Sequence, residues 1–376
     1  MQLKYLFSGI QTMSLLHQIA LTNLKNIGAT LSKTIVAYFG DAEKVFAGNE
    51  KRLMKVPGIG EKTVASLNFA EALRKAEAEL KFVEKHHIDV LLYTDPRYPK
   101  RLKNCNDAPL LLYSRGNTDL NKQHVISIVG TRNATDYGKL LCKQLIEELQ
   151  QYNVLIVSGL ALGIDVAAHK ECLRLGVPTI GVLGHGHDRL YPSQNRQVAD
   201  KMLEQGGILT EYPSGTRPDR EKFPARNRIV AGMADATIVV EASIKGGALI
   251  TAEIANSYNR DVFAFPGRLG DEFSEGCNFL IRNNKAGLIT CMADVAFSLG
   301  WEKAGSARPK QQLAMPIDLP EDERLIFNIL QQYKTLPIDE LTIKTGMPMS
   351  QLAMALLNME MQGYITSLPG KVYRLG

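Results

Sequence analysis

Residues 124–169 read HVISIVGTRNATDYGKLLCKQLIEELQQYNVLIVSGLALGIDVAAH. Two apolar runs, HVISIV and VLIVS, each stop at a glycine turn and lead into an amphipathic helical stretch. Runs without polar alternation are what a parallel sheet covered on both faces requires. Working outward, the same grammar returns in TIGVLG (179–184), GGILTEY (206–212), ATIVVEA (236–242) and DVFAFPG (261–267). Strands alternating with helices in this order predict an α/β, Rossmann-like, doubly wound and mostly parallel sheet over residues 85–300.

The rest of the 376 residues is organised around that core. Residues 13–82 carry helical patterning with short loops and no strand-like alternation, which predicts an all-α domain. Residues 302–318, rich in Pro, Gly, Ala and Gln, read as a linker. Residues 319–376 form a small separate block. Hydrophobic residues make up 45% and mean hydropathy is −0.10, so the chain reads as soluble and globular. The net charge of +5 leans towards an anionic partner. Five scattered cysteines with no CxxC pair fit a reducing, cytoplasmic setting and speak against a disulfide framework or a structural zinc site. No apolar run approaches the ~20 residues that span a bilayer. The opening MQLKYLFSGIQTMSLL lacks a small-residue cleavage site, which speaks against a signal peptide. The helical pattern begins just after Met13, so residues 1–12 read as an extension or an upstream start.

In the helical block, VPGIGEKTVASL (56–67) resembles a helix-hairpin-helix element, a module that grips DNA backbones without reading sequence. Direct backbone contact and a packing role both remain open.

The chemistry lies at the carboxyl ends of the predicted strands, where open α/β sheets place their ligands. Gly130, Thr131 and Arg132 follow the first core strand. Glycine permits the turn, threonine can bond an oxyanion, and a guanidinium can fork onto phosphate. The spacing departs from G-x-G-x-x-G and supports no dinucleotide cofactor. After the second strand, Ser158, Gly159 and Gly163 form a tight loop whose N–H groups face the crevice. Asp165 and His169 follow one helical turn apart and suit a helix-start role better than catalysis, since no nucleophile is placed beside them. His185, His187 and Asp188 sit too close in one loop to show a metal site. Phe223, Arg226 and Arg228, in FPARNR before an apolar helix, combine a ring with arginines, as single-strand binding uses them; the alternative is a buried Phe223 with the arginines in ion pairs within the chain, and at least one arginine is expected to be so paired. Lys245, Gly246 and Gly247 precede a helix whose dipole favours an anion.

In this order, GTRNATDYG, SGLALGIDVAAH, GHGHDRLYP, FPARNRIVAG, VVEASIKGGALITAEIA, RDVFAFPG and EGCNFLIRNNKA closely resemble the DprA/Smf family of DNA-processing proteins. The resemblance implies a Rossmann-like core that binds single-stranded DNA and forms a homodimer. It further implies protection of incoming DNA, displacement of single-strand-binding protein and loading of the RecA recombinase during natural transformation, without enzymatic activity or cofactor. Arg132 sits at the family's G-S/T-R arginine, Phe223, Arg226 and Arg228 at its FPxRNR element, and Lys245, Gly246 and Gly247 at its KSGS-like loop. Here that loop reads KGGA and lacks both serines, which leaves backbone N–H groups to do more of the holding. The core also bears some likeness to LOG-type nucleotide phosphoribohydrolases. Leu249 and Ile250, however, stand where those enzymes have Gly-Thr, and their bulk hinders close phosphate approach.

The C-terminal block looks like a winged helix, as some members of the family carry. From Asp318 onward seven acids face five bases. Duplex reading needs a basic footprint, so a protein-contact or accessory role is expected.

Overall fold

The computed structural model of the chain describes residues 9–47, 50–302, 319–368 and 371–375. Two compact units divide between Gly305 and Ser306. The linker expected at 302–318 lies, apart from Glu302, outside the described residues.

The first unit opens with helices α1 (Gly9–Thr22), α2 (Ala29–Phe39), α3 (Glu43–Phe46), α4 (Glu50–Leu53), α5 (Glu61–Ala65) and α6 (Phe69–Lys85). In the hairpin before α5, Gly58 takes φ +87°, a value that favours glycine. Ile19, Ile35, Phe39, Val56 and Val83 pack together into one core, which also takes in Leu110, Leu111 and Tyr113. Those last three lie at a hairpin the strand pattern did not reveal. Strands β1 (Asp89–Leu92) and β2 (Leu111–Gly116) pair antiparallel. Strand β2 then joins the main sheet antiparallel to β6 (Gly207–Thr210). A buried carboxylate adds to the junction: Glu79 of α6 accepts the Ser214 N–H at 2.8 Å and its hydroxyl as well.

All six strands anticipated in the core are present: β3 (His124–Val129), β4 (Val154–Ser158), β5 (Thr179–Val182), β6, β7 (Ala236–Val239) and β8 (Asp261–Ala264). The short β9 (Gly287–Leu288) closes the far edge. The order β1-β2-β6-β5-β4-β3-β7-β8-β9 winds one way from β3 through β4 and β5, and the other way from β7. The switch point therefore falls between β3 and β7, which pair in parallel.

Alternation along β3 shows the two covered faces. Val125 and Val129 face one core with Leu155, Ile229, Leu249 and Leu280, whereas Ile126 and Ile128 face the other with Leu145, Ile164 and Val295. Helices α7 (Lys100–Lys103), α11 (Lys222–Met233), α12 (Gly247–Ser257) and α13 (Glu272–Arg282) supply the first layer. Helices α8 (Asp136–Leu149), α9 (Ile164–Leu175) and α14 (Met292–Leu299) supply the second. A satellite cluster seats α10 (Arg196–Gln205) against Leu160, Leu183 and Ile208. No helix among the described residues is long and apolar enough to cross a membrane, and all five cysteines are free thiols.

The second unit contains α15 (Glu321–Tyr333), β10 (Thr335–Pro337), α16 (Ile338–Thr345), α17 (Met349–Met361), β11 (Ile365–Leu368) and β12 (Val372–Leu375). Its three strands order β10-β12-β11, the wing expected from sequence. Helix α17, in the recognition position, exposes Met354, Leu357 and Met361 and no basic side chain.

Candidate nucleic-acid interface

Backbone bonds across the switch point stitch the loops after β3, β4 and β7 into one surface. The Thr131 N–H donates to the Glu241 carbonyl at 2.7 Å, and the Ile164 N–H donates to the Thr131 carbonyl at 3.1 Å. Close approach makes this possible. A Cβ on Gly130 would lie 2.4 Å from the Ile164 side chain, and one on Gly163, at φ +79°, would lie 2.1 Å from the Thr131 carbonyl. These glycines let the loops close directly on one another, as the tight turns expected at Gly130 and Gly163 require.

Glu241 anchors the loop from below. Its buried carboxylate accepts the Thr135 N–H at 3.0 Å and the Thr135 hydroxyl, while Thr135 itself caps α8 by accepting the Gly138 N–H at 3.1 Å. The Thr131 hydroxyl closes a local turn by accepting the Asn133 N–H at 3.2 Å. Nothing in the sequence singled out Glu241 beyond its place at a strand end; its role comes from a partner more than a hundred residues away.

On this rigid base Arg132 is exposed. Its guanidinium carbon lies 5.6 Å from the centroid of the half-buried Phe223 ring. Among the described residues no carboxylate comes within ion-pairing distance of it. Lys245 is exposed on the neighbouring loop, and Gly246 in extended conformation caps α12, which begins at Gly247. A Cβ on Gly247 would meet nothing within 4 Å, so the start of α12 is open to close approach.

The other expected contacts turn inward. FPARNR does not precede a helix but forms the first two turns of α11, with Pro224 in the first turn, where its missing N–H is tolerated. That places Arg226 three residues after Phe223, facing the sheet and only 5% exposed. Its Nη1 donates to the carbonyls of Gly159 and Val182, and its Nε to Asn227 Oδ1 at 3.1 Å. Burial pulls its pKa down to about 10, opposed by the negative field of Asp165. Gly159 is glycine for this reason, since a Cβ would lie 2.5 Å from the guanidinium. Arg228 lies in an ion-pair cluster, donating to the Asp107 carbonyl at 2.8 Å and to the Glu211 carboxylate. Ser158 is fully buried and donates to the Ile128 carbonyl at 2.6 Å. Ser158, Arg226 and Arg228 are thus corrected from contacts to supports.

Asp165 and His169 are likewise structural. The Asp165 carboxylate accepts the Gly159 and Ala161 N–H groups at 3.1 and 3.4 Å, with its pKa raised by burial. His169 Nδ1 lies 2.7 Å from the Thr179 hydroxyl, and burial pushes its pKa down to about 3. In the following loop His185 bonds Gly186 and Tyr191, His187 Nε2 donates to the Tyr113 carbonyl at 3.0 Å, and Asp188 accepts the Gly215 N–H at 2.9 Å. Each serves a different partner. Among the described residues no three His, Cys, Asp or Glu side chains group as a metal site needs.

The model of the DNA recombination-mediator protein A family matches residues 89–300, that of the DprA winged helix domain residues 308–371, and that of a SAM-like helix-hairpin-helix tandem residues 19–70. Protein Smf of Synechocystis is 34% identical over 95% of this chain and 97% of its own. DNA processing protein DprA of Streptococcus pneumoniae is 43% identical over 54% of this chain and 71% of its own. Among solved structures, that of S. pneumoniae DprA superposes with a TM-score of 0.65 at 33% identity, covering 76% of this chain and 98% of that one. A Helicobacter pylori DprA structure, described by its single-stranded DNA binding mode, gives 0.52 at 31% identity, covering 57% of this chain and 97% of that one. With a family model matched across the whole core and a relative alignable over almost the entire chain, this protein belongs to the DprA/Smf family.

Proposed function

We propose that this protein binds single-stranded DNA at the carboxyl edge of its sheet, shields it, and hands it to the RecA recombinase in exchange for single-strand-binding protein. It works as a cytoplasmic homodimer, without a cofactor and without turning its ligand over. The observation that carries this is the exposed Arg132 guanidinium over the Phe223 ring, with Lys245 exposed on the adjacent loop. A cation without a protein counter-charge beside an aromatic ring suits a flexible strand of phosphates and unstacked bases. Family membership supports the recombinase step, and the H. pylori relative supports the binding of single strands.

The test is titration of a labelled oligothymidylate, and of a duplex of the same length, at several salt concentrations. The single strand is expected to bind more tightly. Arg132→Ala is expected to weaken binding by about 1–2 kcal/mol, the scale of a lost charge-assisted hydrogen bond. It should also reduce the salt slope by about 0.7, the value for one phosphate contact on a single strand. The melting temperature should stay where it is, because the side chain is exposed. Equal affinity for duplex and single strand, or a fall in melting temperature with the salt slope unchanged, would sink the assignment.

A further inference from the structure

Tyr191 lies in the loop after β5, where the sequence drew attention to His185, His187 and Asp188. Half of its surface is open to solvent, at 51%. Its ring centroid is 5.8 Å from that of Phe223, with the planes inclined at 33°. Phe223 is less free: it is half-buried, it carries Arg132 on its ring, and a Cβ on Gly184 would come within 3.1 Å of it. Of these two rings, Tyr191 is the one with room to receive something. Its position is also fixed beforehand. The Tyr191 N–H donates to Nε2 of the fully buried His185, whose Nδ1–H donates in turn to the Gly186 carbonyl at 2.9 Å. Nε2 accepts, so Nδ1 carries the proton and the imidazole is neutral. Burial holds its pKa below the ordinary value, in keeping with that state.

A solvent-facing ring held on a rigid loop, backed by a second ring that itself bears a cation, has the properties of a base platform. Stacking draws on the π-face that every nucleobase offers, and a platform held in place loses little freedom on binding. We infer that Tyr191 is the principal stacking surface for an unpaired nucleobase, with Phe223 supporting it and aligning Arg132 for the neighbouring phosphate. This rests on the single-strand reading above and deepens it.

The experiment compares two oligomers of equal length, oligothymidylate and an abasic oligomer with the same phosphates, against wild-type, Tyr191→Ala and Tyr191→Phe proteins. Tyr191→Ala is expected to bind the thymidylate roughly 5- to 150-fold more weakly, the range of one lost base stack, with affinity for the abasic oligomer unchanged. Tyr191→Phe should behave as wild type. Loss on both oligomers alike, or on neither, overturns the inference while leaving single-strand binding standing. A wild type that binds neither oligomer overturns both. Should Tyr191→Ala fold poorly, Tyr191→Trp supplies the second readout. The native Trp301 packs on His124 at 4.1 Å, in a different part of the fold. The new indole is expected to be quenched by thymidylate and not by the abasic oligomer, and equal response to the two rejects the platform.

Discussion

At the scale of single residues, Arg226 is the clearest lesson. Its sequence neighbourhood, a phenylalanine and two arginines, suggested a ligand site, and one of those three side chains, Phe223, does lie at the candidate surface. Arg226 faces the sheet through helical phase and Arg228 is held in an ion-pair cluster, and neither is readable when Pro224 suggests a loop ahead of the helix and not its first turn. The place of Arg132, just past the end of β3, was legible, whereas exposure is not set by a strand end, as the buried Ser158 and Glu241 show. Arg226→Ala would strip the carbonyls of Gly159 and Val182 of their donor and leave the buried Asp165 charge without its opposing field. Removing one member of a buried charged set costs about 3–5 kcal/mol. We expect a loss of that order in urea unfolding; a variant of unchanged stability that fails to bind DNA would instead return Arg226 to the ligand surface.

At the scale of elements, the core strands could be read directly because burial on both faces erases polar alternation, whereas β1 and β2 escaped notice. Their burial is uneven, with Asp89 and Arg115 exposed, and β2 takes its register from β6, which no local pattern can reveal. The glycine-rich loops were legible as tight turns, but not what they pack against, since what approaches Gly163 is the Thr131 carbonyl. Two substitutions separate the kinds of glycine. Gly163→Ala combines a positive φ with a hard backbone clash, and should lower stability by about 2 kcal/mol or more and displace the Arg132 loop. Gly247→Ala meets open space within a helix and should be neutral or stabilising by about 0.4–1 kcal/mol. Denaturant midpoints of the two variants measure the difference, and equal midpoints would refute the packing account of Gly163.

At the scale of the whole molecule, acid sensitivity follows from imidazoles held in neutral form. Burial pushes the His187 pKa down to about 4, against 6.5 when unfolded. Below pH 6.5 the unfolded chain takes up a proton that the native state refuses, so this contribution is present above 6.5 and lost as pH falls towards 4. Glu79, Asp165 and Glu211, all raised by burial, act in the opposite sense, because the native state holds their protons at higher pH. His187→Gln isolates the histidine and keeps an N–H for the Tyr113 carbonyl. Between pH 7 and 5.5 the wild type should lose about 1 kcal/mol relative to this variant; parallel stability curves would show that His187 does not titrate as its burial implies.

The junction at β2 has a consequence in the time domain. Its partners on one side, β1 and the helical block, emerge from the ribosome before it or together with it. Its partner on the other side is β6, with Gly116 opposite Gly207, roughly ninety residues further along. At ordinary synthesis rates the hairpin waits about 5–20 s with an unpaired edge that could template intermolecular pairing. The edge residues suit that interval. The strand closes on Ser114, Arg115 and Gly116, so the exposed half of the nascent edge ends in a charge and a residue of low strand propensity until β6 arrives to cover it.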